Sequence, residues 1–152
     1  MPERQIAHAT FTITRDFKAP PARVFAAHTS RDAKMRWQAG GEGWETFEFT
    51  VDVRPGGREV WRGSFRGGPE IRNNVFYFDV VQNKRLIFAY EMHVGEPRIS
   101  VSLATIELEP IKTGTRLTFT EQGTYLDDPD AAANREVGTR GLLEALANEV
   151  EG

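Results

Sequence analysis

No cysteine occurs in the 152 residues. That excludes disulfides, thiolate nucleophiles and cysteine-ligated metals, and it agrees with a reducing compartment. Long apolar runs are missing too. Nothing approaches the roughly 20 apolar residues of a membrane-spanning helix, and Met1 to His8 is polar, without the apolar core of a signal peptide. Positive charge is not in surplus: 19 Lys and Arg face 22 Asp and Glu, a net charge of −3. The basic residues are scattered among acidic ones, so there is no footprint for nucleic acid. Histidine is scarce. His8 lies in the N-terminal tail, His28 on an apolar helix face and His93 on the outer parity of a strand, so no two share a metal-ligand spacing. No metal and no cofactor is expected. Ser30, Ser64, Ser100 and Ser102 lack a nucleophile-elbow context. Gly56-Gly57 and Gly67-Gly68 lack the lysine and helix of a phosphate loop. What remains is a cytoplasmic protein of one domain, 1–152, with residues 1–8 as a flexible tail. A chain of this length buries about two-thirds of its unfolded surface.

What is present is a clear order of elements. Ala9 to Phe17 alternates as a half-buried strand, with Phe11, Ile13, Arg15 and Phe17 on one face. Pro20 and Pro21 end it and open a helix carrying Val24, Phe25 and His28 on one face. Ser30 is placed to cap a second short helix bearing Met35 and Trp37. A block of alternating strands follows. The alternation puts Phe47, Phe49, Val51 and Val53 on one face, then Trp61 with Phe65, then Asn74, Phe76, Phe78 and Val80, then Leu86, Phe88, Tyr90, Met92 and Val94. In the next strand Ile99, Val101 and Leu103 are out of phase with Ile106 and Leu108, which predicts a bulge near Ala104-Thr105. Leu117, Phe119 and Glu121 share the inner parity of the last strand. Asp127-Asp128-Pro129 reads as the start signal of a final helix, whose apolar stripe is Gly138, Gly141, Leu142, Ala145, Leu146 and Val150, with Arg135 elsewhere.

This order predicts an α+β fold in which a curved antiparallel sheet wraps around a long C-terminal helix. With 10 Phe and 3 Trp there are many large rings to pack around one helix, and Gly138 and Gly141 leave space beneath its first half. The expectation is an apolar cavity between helix and sheet, lined by Trp37, Phe47, Phe49, Trp61, Phe76, Phe78, Phe88, Tyr90, Phe119, Glu121, Gly138 and Leu142. Plain core packing is the alternative for each of these aromatics. No catalytic residue is assigned, and Glu121 is the foremost candidate. Its parity points inward, where Arg15 of the first strand is a partner in reach. The reading favoured here is that the strand ends near Gly123 and leaves Glu121 on the rim, because charged residues are seldom fully buried. Asn74 and Tyr90 each read equally as structural groups or as polar handles for a ligand.

Several segments together resemble a known family. Ala19-Pro20-Pro21-Ala22-Arg23-Val24-Phe25 with Arg36-Trp37, Asp52-Val53-Arg54-Pro55-Gly56-Gly57, Arg85 to Tyr90, and Thr115 to Gly123 are similar, in this order, to the START-like (SRPBCC) superfamily. Within it they resemble the branch of homologues of the activator of the heat-shock-protein-ninety ATPase. The resemblance implies a helix-grip fold with two short helices after the first strand and a hydrophobic cavity as the working site. Relatives bind hydrophobic molecules, cyclise polyketides or assist a chaperone. Many members carry a Gly-Trp pair in the last helix, where here Gly138 precedes Thr139.

Three functions are therefore weighed. The first is a non-enzymatic domain binding a small hydrophobic molecule. The second is a cyclase- or aromatase-like enzyme using Glu121 or Tyr90 to move protons. The third is a chaperone-associated protein acting through its surface, which would need a large exposed apolar or charged patch; the sequence predicts none. The first is preferred. A homodimer through outer strand faces or helix ends is compatible with the sequence.

Overall fold

The computed structural model describes residues 5–128 and 131–152. Seven strands form one antiparallel sheet in the order β1-β7-β6-β5-β4-β3-β2. They are β1 (Ile6–Phe17), β2 (Trp44–Val51), β3 (Arg58–Phe65), β4 (Ile71–Val81), β5 (Arg85–Val94), β6 (Arg98–Ile111) and β7 (Gly114–Leu126). Between β1 and β2 lie α1 (Pro21–Thr29), α2 (Arg31–Lys34) and a π-helical turn at Met35–Ala39. The long helix α3 (Ala131–Glu151) closes the chain. The architecture is the α+β helix-grip arrangement, with a curved sheet around the last helix. No helix among the described residues is long and apolar enough to cross a membrane.

Local chemistry sets the helical segment. Pro21 occupies the first position of α1, where no N–H is needed. The Ser30 hydroxyl accepts from the Ala33 N–H and caps α2. The π-helical turn buries Trp37, whose indole N–H donates to the Ala27 carbonyl at 2.8 Å. The apolar core collects Phe11, Ile13 and Phe17 of β1, Val24 and Phe25 of α1, Ile106, Leu108 and Leu117, and Leu143, Leu146, Ala147 and Val150 of α3. Thus the C-terminal half of α3 is the anchored half. Its end is tied further: the Arg23 guanidinium donates to the carbonyls of Val150 and Glu149, and Arg36 forms a fork with Glu149 at 2.9 Å to each oxygen. Free C-terminal carbonyls and the negative helix end both favour such cations.

The strand phases differ from simple alternation at three bulges and along one strand. In β2 the register shifts between Thr46 and Glu48, which leaves Phe47 as the unpaired extra residue. Phe49 is then buried, while Phe47 is exposed. In β4 the inner face is Ile71, Asn73, Val75 and Tyr77, the opposite parity to the one expected. Phe76 points outward beneath Arg58, whose guanidinium sits 4.9 Å from its ring centroid, and Phe78 is the extra residue of a second bulge, 61 % exposed. Asn74 is on the outer face, donating to Glu91. The bulge expected at Ala104-Thr105 is absent: β6 pairs with β7 in one continuous register from Ser100 to Ile111. The irregularity lies instead beside Met92, where Ile99 is the extra residue, and Val101 and Leu103 face outward and are exposed. The outer face is therefore more apolar than expected.

Ile6, Ala7 and His8, assigned to the tail by sequence, pair with Leu126, Tyr125 and Thr124. Pro129 of the expected helix start lies outside the described residues. The buried face of α3 is Thr139, Leu143, Leu146, Ala147 and Val150, turned by about one residue from the expected stripe. That turn brings Arg135 to the inner side.

His28 is buried, bonded through Nδ1 to the Val24 carbonyl at 2.8 Å and set edge-on to Trp37. Burial pushes its pKa down from 6.5 to about 4. Between these values the unfolded chain takes up a proton that the folded chain refuses, so stability falls as pH drops from about 6.5 to 4. The loss is complete below the folded pKa and amounts to about 3 kcal/mol at most. His28→Gln is expected to flatten the dependence of the urea midpoint on pH across this window; an unchanged slope would contradict the assignment.

Candidate functional site

A cavity of about 540 Å³ lies between the N-terminal half of α3, the α2–π-turn segment and the inner face of the sheet. Its position follows from the core. The C-terminal half of α3 is pinned by Leu143, Leu146 and Val150, whereas Gly138 offers no side chain, and a Cβ there would meet nothing within 4 Å. Trp37, Phe49, Trp61, Phe88, Tyr90 and Phe119 all stand on the lining, as do Glu121, Gly138 and Leu142. Phe47, Phe76 and Phe78 do not; the bulges of β2 and β4 and the reversed parity of β4 put them on the outside. Asn73, Val75 and Tyr77 take the places expected of Asn74, Phe76 and Phe78.

Glu121 is not on the rim. β7 continues five residues beyond it to Leu126, and its side chain is 1 % exposed. Arg15 is not its partner: Arg15 stands opposite Leu117 in the register and pairs with Glu144 of α3. The cation facing Glu121 is Arg135. Its Nη1 donates to Glu121 Oε2 at 3.2 Å and to the Tyr90 hydroxyl at 2.8 Å, and its Nη2 donates to Ser100 Oγ at 2.8 Å. Tyr90 in turn donates to the Glu121 carboxylate at 2.8–2.9 Å, and Ser102 donates to Oε2 at 2.9 Å. The guanidinium lies over the rings of Tyr90 and Tyr125, 5.5 and 5.3 Å from their centroids. Gly123 makes this possible, because a Cβ there would sit 2.7 Å from the Tyr125 ring.

A second polar cluster stands on the same cavity wall. Lys34 of α2 pairs with Glu59 of β3, and its Nζ donates to the Tyr77 hydroxyl at 3.2 Å. Tyr77 donates to Glu59 Oε1 at 2.8 Å. All three side chains are nearly inaccessible to water. Phe88 lies between the two clusters, its ring 5.6 Å from that of Tyr77 and 6.3 Å from that of Tyr90.

The electrostatics follow from burial with pairing. Burial raises the Tyr90 pKa, and the Glu121 charge raises it further; Tyr77 is raised by burial and by Glu59. Both phenols therefore hold their protons at neutral pH. Burial alone would lower the Arg135 pKa, but the Glu121 carboxylate and the Tyr90 hydroxyl that accepts from the guanidinium outweigh it, and the net shift is upward. Among the described residues no group of three His, Asp or Glu stands close enough to hold a metal.

Lys34, Glu59, Tyr77, Arg135, Ser100 and Ser102 were missed by the sequence reading. Some signal existed. Glu59 shares the parity of Trp61, and Lys34 lies one turn before Trp37. Arg135 leads the 135, 139, 142, 146, 150 row of α3, spaced three to four residues apart. A charged residue leading an apolar row is ordinarily read as its solvent end, which is why the pattern did not declare itself.

Comparison with known proteins agrees with this fold. Residues 18–151 match the family model described as Activator of Hsp90 ATPase homolog 1-like protein. The solved structure of the Mll3558 protein from Rhizobium loti is 48% identical, covers 95% of this chain and 99% of its own, and superposes with a TM-score of 0.88. An uncharacterized protein from Rhizobium leguminosarum is 39% identical over 99% of both chains, with a TM-score of 0.93. The AHSA1-like protein from Aeromonas hydrophila, at 21% identity over 94% of this chain and 92% of its own, shares the fold with a TM-score of 0.72. No curated protein matches the chain.

The Glu121–Arg135 pair makes an energetic prediction. Removing one member of a buried ion pair strands the other and costs about 3–5 kcal/mol, while removing both costs much less. Arg135→Met should therefore be strongly destabilising in urea titration, and adding Glu121→Gln should recover most of the loss. Additive losses in the double variant would contradict the pairing.

Proposed function

The chain belongs to the Activator of Hsp90 ATPase homolog 1-like family, and we propose that it is a non-enzymatic domain that binds a small hydrophobic molecule between α3 and the sheet. One observation carries this reading: a hollow of about 540 Å³ remains beside a well-packed core, walled by rings of β2, β3, β4, β5 and β7. Pockets of this size and composition, largely apolar with a few fixed polar groups, suit small organic ligands. A cytoplasmic location is part of the proposal and rests on the cysteine-free composition.

The cyclase-like alternative requires Tyr90 and Glu121 together inside the cavity, and they are together. Their state favours binding over proton transfer. Tyr90 keeps its proton far above neutral pH and is therefore not poised near the working pH, as an acid–base catalyst has to be. The Glu121 carboxylate already accepts from Arg135, Tyr90 and Ser102.

The test is a neutral fluorescent probe, N-phenyl-1-naphthylamine, titrated with the wild-type protein and with Gly138→Trp. The glycine faces open space, so the variant should fold at wild-type stability while filling the hollow. Wild type is expected to bind one probe saturably, and Gly138→Trp to bind it at least 10-fold more weakly. Absence of saturable binding to wild type, or equal binding to both, would overturn the reading.

A further inference from the structure

The charges on the sheltered part of the cavity wall come in balanced pairs. Lys34 faces Glu59 and Arg135 faces Glu121, while His28, also on the lining, is neutral near pH 7 because burial holds its pKa at about 4. The sheltered part of the wall thus carries no net charge to offer a ligand; Asp128, the one further carboxylate among the described lining residues, is exposed. A carboxylate or ammonium entering there would lose hydration without finding an unspent counter-ion, which is costly in a water-poor site.

The hydrogen-bonding capacity is not balanced in the same way. At the β3–β4 end, the hydrogen bonds that Glu59 accepts from Lys34 and Tyr77 both fall on Oε1. On the neighbouring strand, Asn73 Oδ1 is buried on the lining with no partner. Glu59 stands opposite Val75 and Asn73 opposite Trp61, so the two acceptors are diagonal neighbours on the inner face of the sheet. Buried acceptors in folded proteins are ordinarily paired, and an exception calls for a partner.

Resting on the reading that the cavity binds a hydrophobic molecule, we infer that its ligand is an uncharged, hydroxyl-bearing apolar compound, a phenol or alcohol, whose O–H is directed at Glu59 and Asn73. The ring system lies along Phe88 and Phe119, and the hydroxyl donates at the β3–β4 end. A carboxylate of the same shape is rejected.

The experiment uses three probes of one shape with the full chain at pH 7: naphthalene, 2-naphthol and 2-naphthoate, with affinities from fluorescence titration. In wild type, 2-naphthol is expected to bind at least 10-fold tighter than naphthalene, and 2-naphthoate at least 10-fold more weakly than 2-naphthol. Asn73→Leu should reduce the 2-naphthol preference over naphthalene several-fold without helping 2-naphthoate. Glu59→Gln, nearly isosteric, leaves Lys34 without its counter-ion and should raise 2-naphthoate affinity at least 10-fold. Should that variant not fold, Glu121→Gln makes the same test through Arg135. Equal affinity of wild type for naphthalene and 2-naphthol, or a preference for 2-naphthoate, overturns this inference and leaves the binding reading standing. Failure of naphthalene and 2-naphthol alike to bind overturns the binding reading beneath it.

Discussion

Glu121 is a carboxylate almost out of contact with water, and a charge so placed must be paired. That requirement organises this half of the molecule. The partner, Arg135, comes from α3, so the pair ties the N-terminal half of the helix to the middle of the sheet across the cavity wall. Tyr90, Ser100 and Ser102 complete the carboxylate and the guanidinium from two further strands. Four elements are held in one arrangement by one charge. The C-terminal half of α3 needs no such device, since Leu143, Leu146 and Val150 bury there in the usual way. The helix is thus held at one end by apolar burial, with Arg23 and Arg36 tying its last turn, and at the other by a buried ion pair, with Gly138 between them and the hollow alongside.

Lys34, Glu59 and Tyr77 repeat the device on the far side of Phe88. Polar groups thus stand on both sides of an aromatic floor. In each cluster the charges are paired with one another, and both phenols keep their protons. The same economy explains His28. It is kept neutral by burial beside Lys34, which leaves the lysine charge to Glu59.

The order of elements was fully legible in the sequence. Pro20-Pro21 marked the start of α1, Ser30 the cap of α2, and the inner parity of Leu86, Phe88 and Tyr90 was readable from alternation alone. Phase failed wherever the backbone inserted a residue. Phe47 and Phe78 are each the extra residue of a bulge, and a bulge is set by cross-strand pairing that local sequence does not display. Phe76 misled for a different reason. A phenylalanine looks like core, but here its face is covered by Arg58 on the outside of the sheet. In β6 the inner residues are Ser100, Ser102 and Ala104, which look like a surface row, while the apolar Val101 and Leu103 face outward. The serines are inside because Glu121 and Arg135 need donors and acceptors there. The polar half of the site was illegible one residue at a time because its members become buried only as a set. The rule that charges stay outside is correct for each residue and wrong for the pair.

The central claim is that a real hollow is held open between the paired charges of α3 and the aromatic floor of the sheet. Crystals of the protein pressurised with xenon test it most directly, since the gas occupies apolar cavities and leaves strong density. The account predicts xenon between Phe88, Phe119 and Leu143, at full occupancy under modest pressure. An interior without xenon, closed by Tyr90 or Leu142 folding into the space, would contradict it.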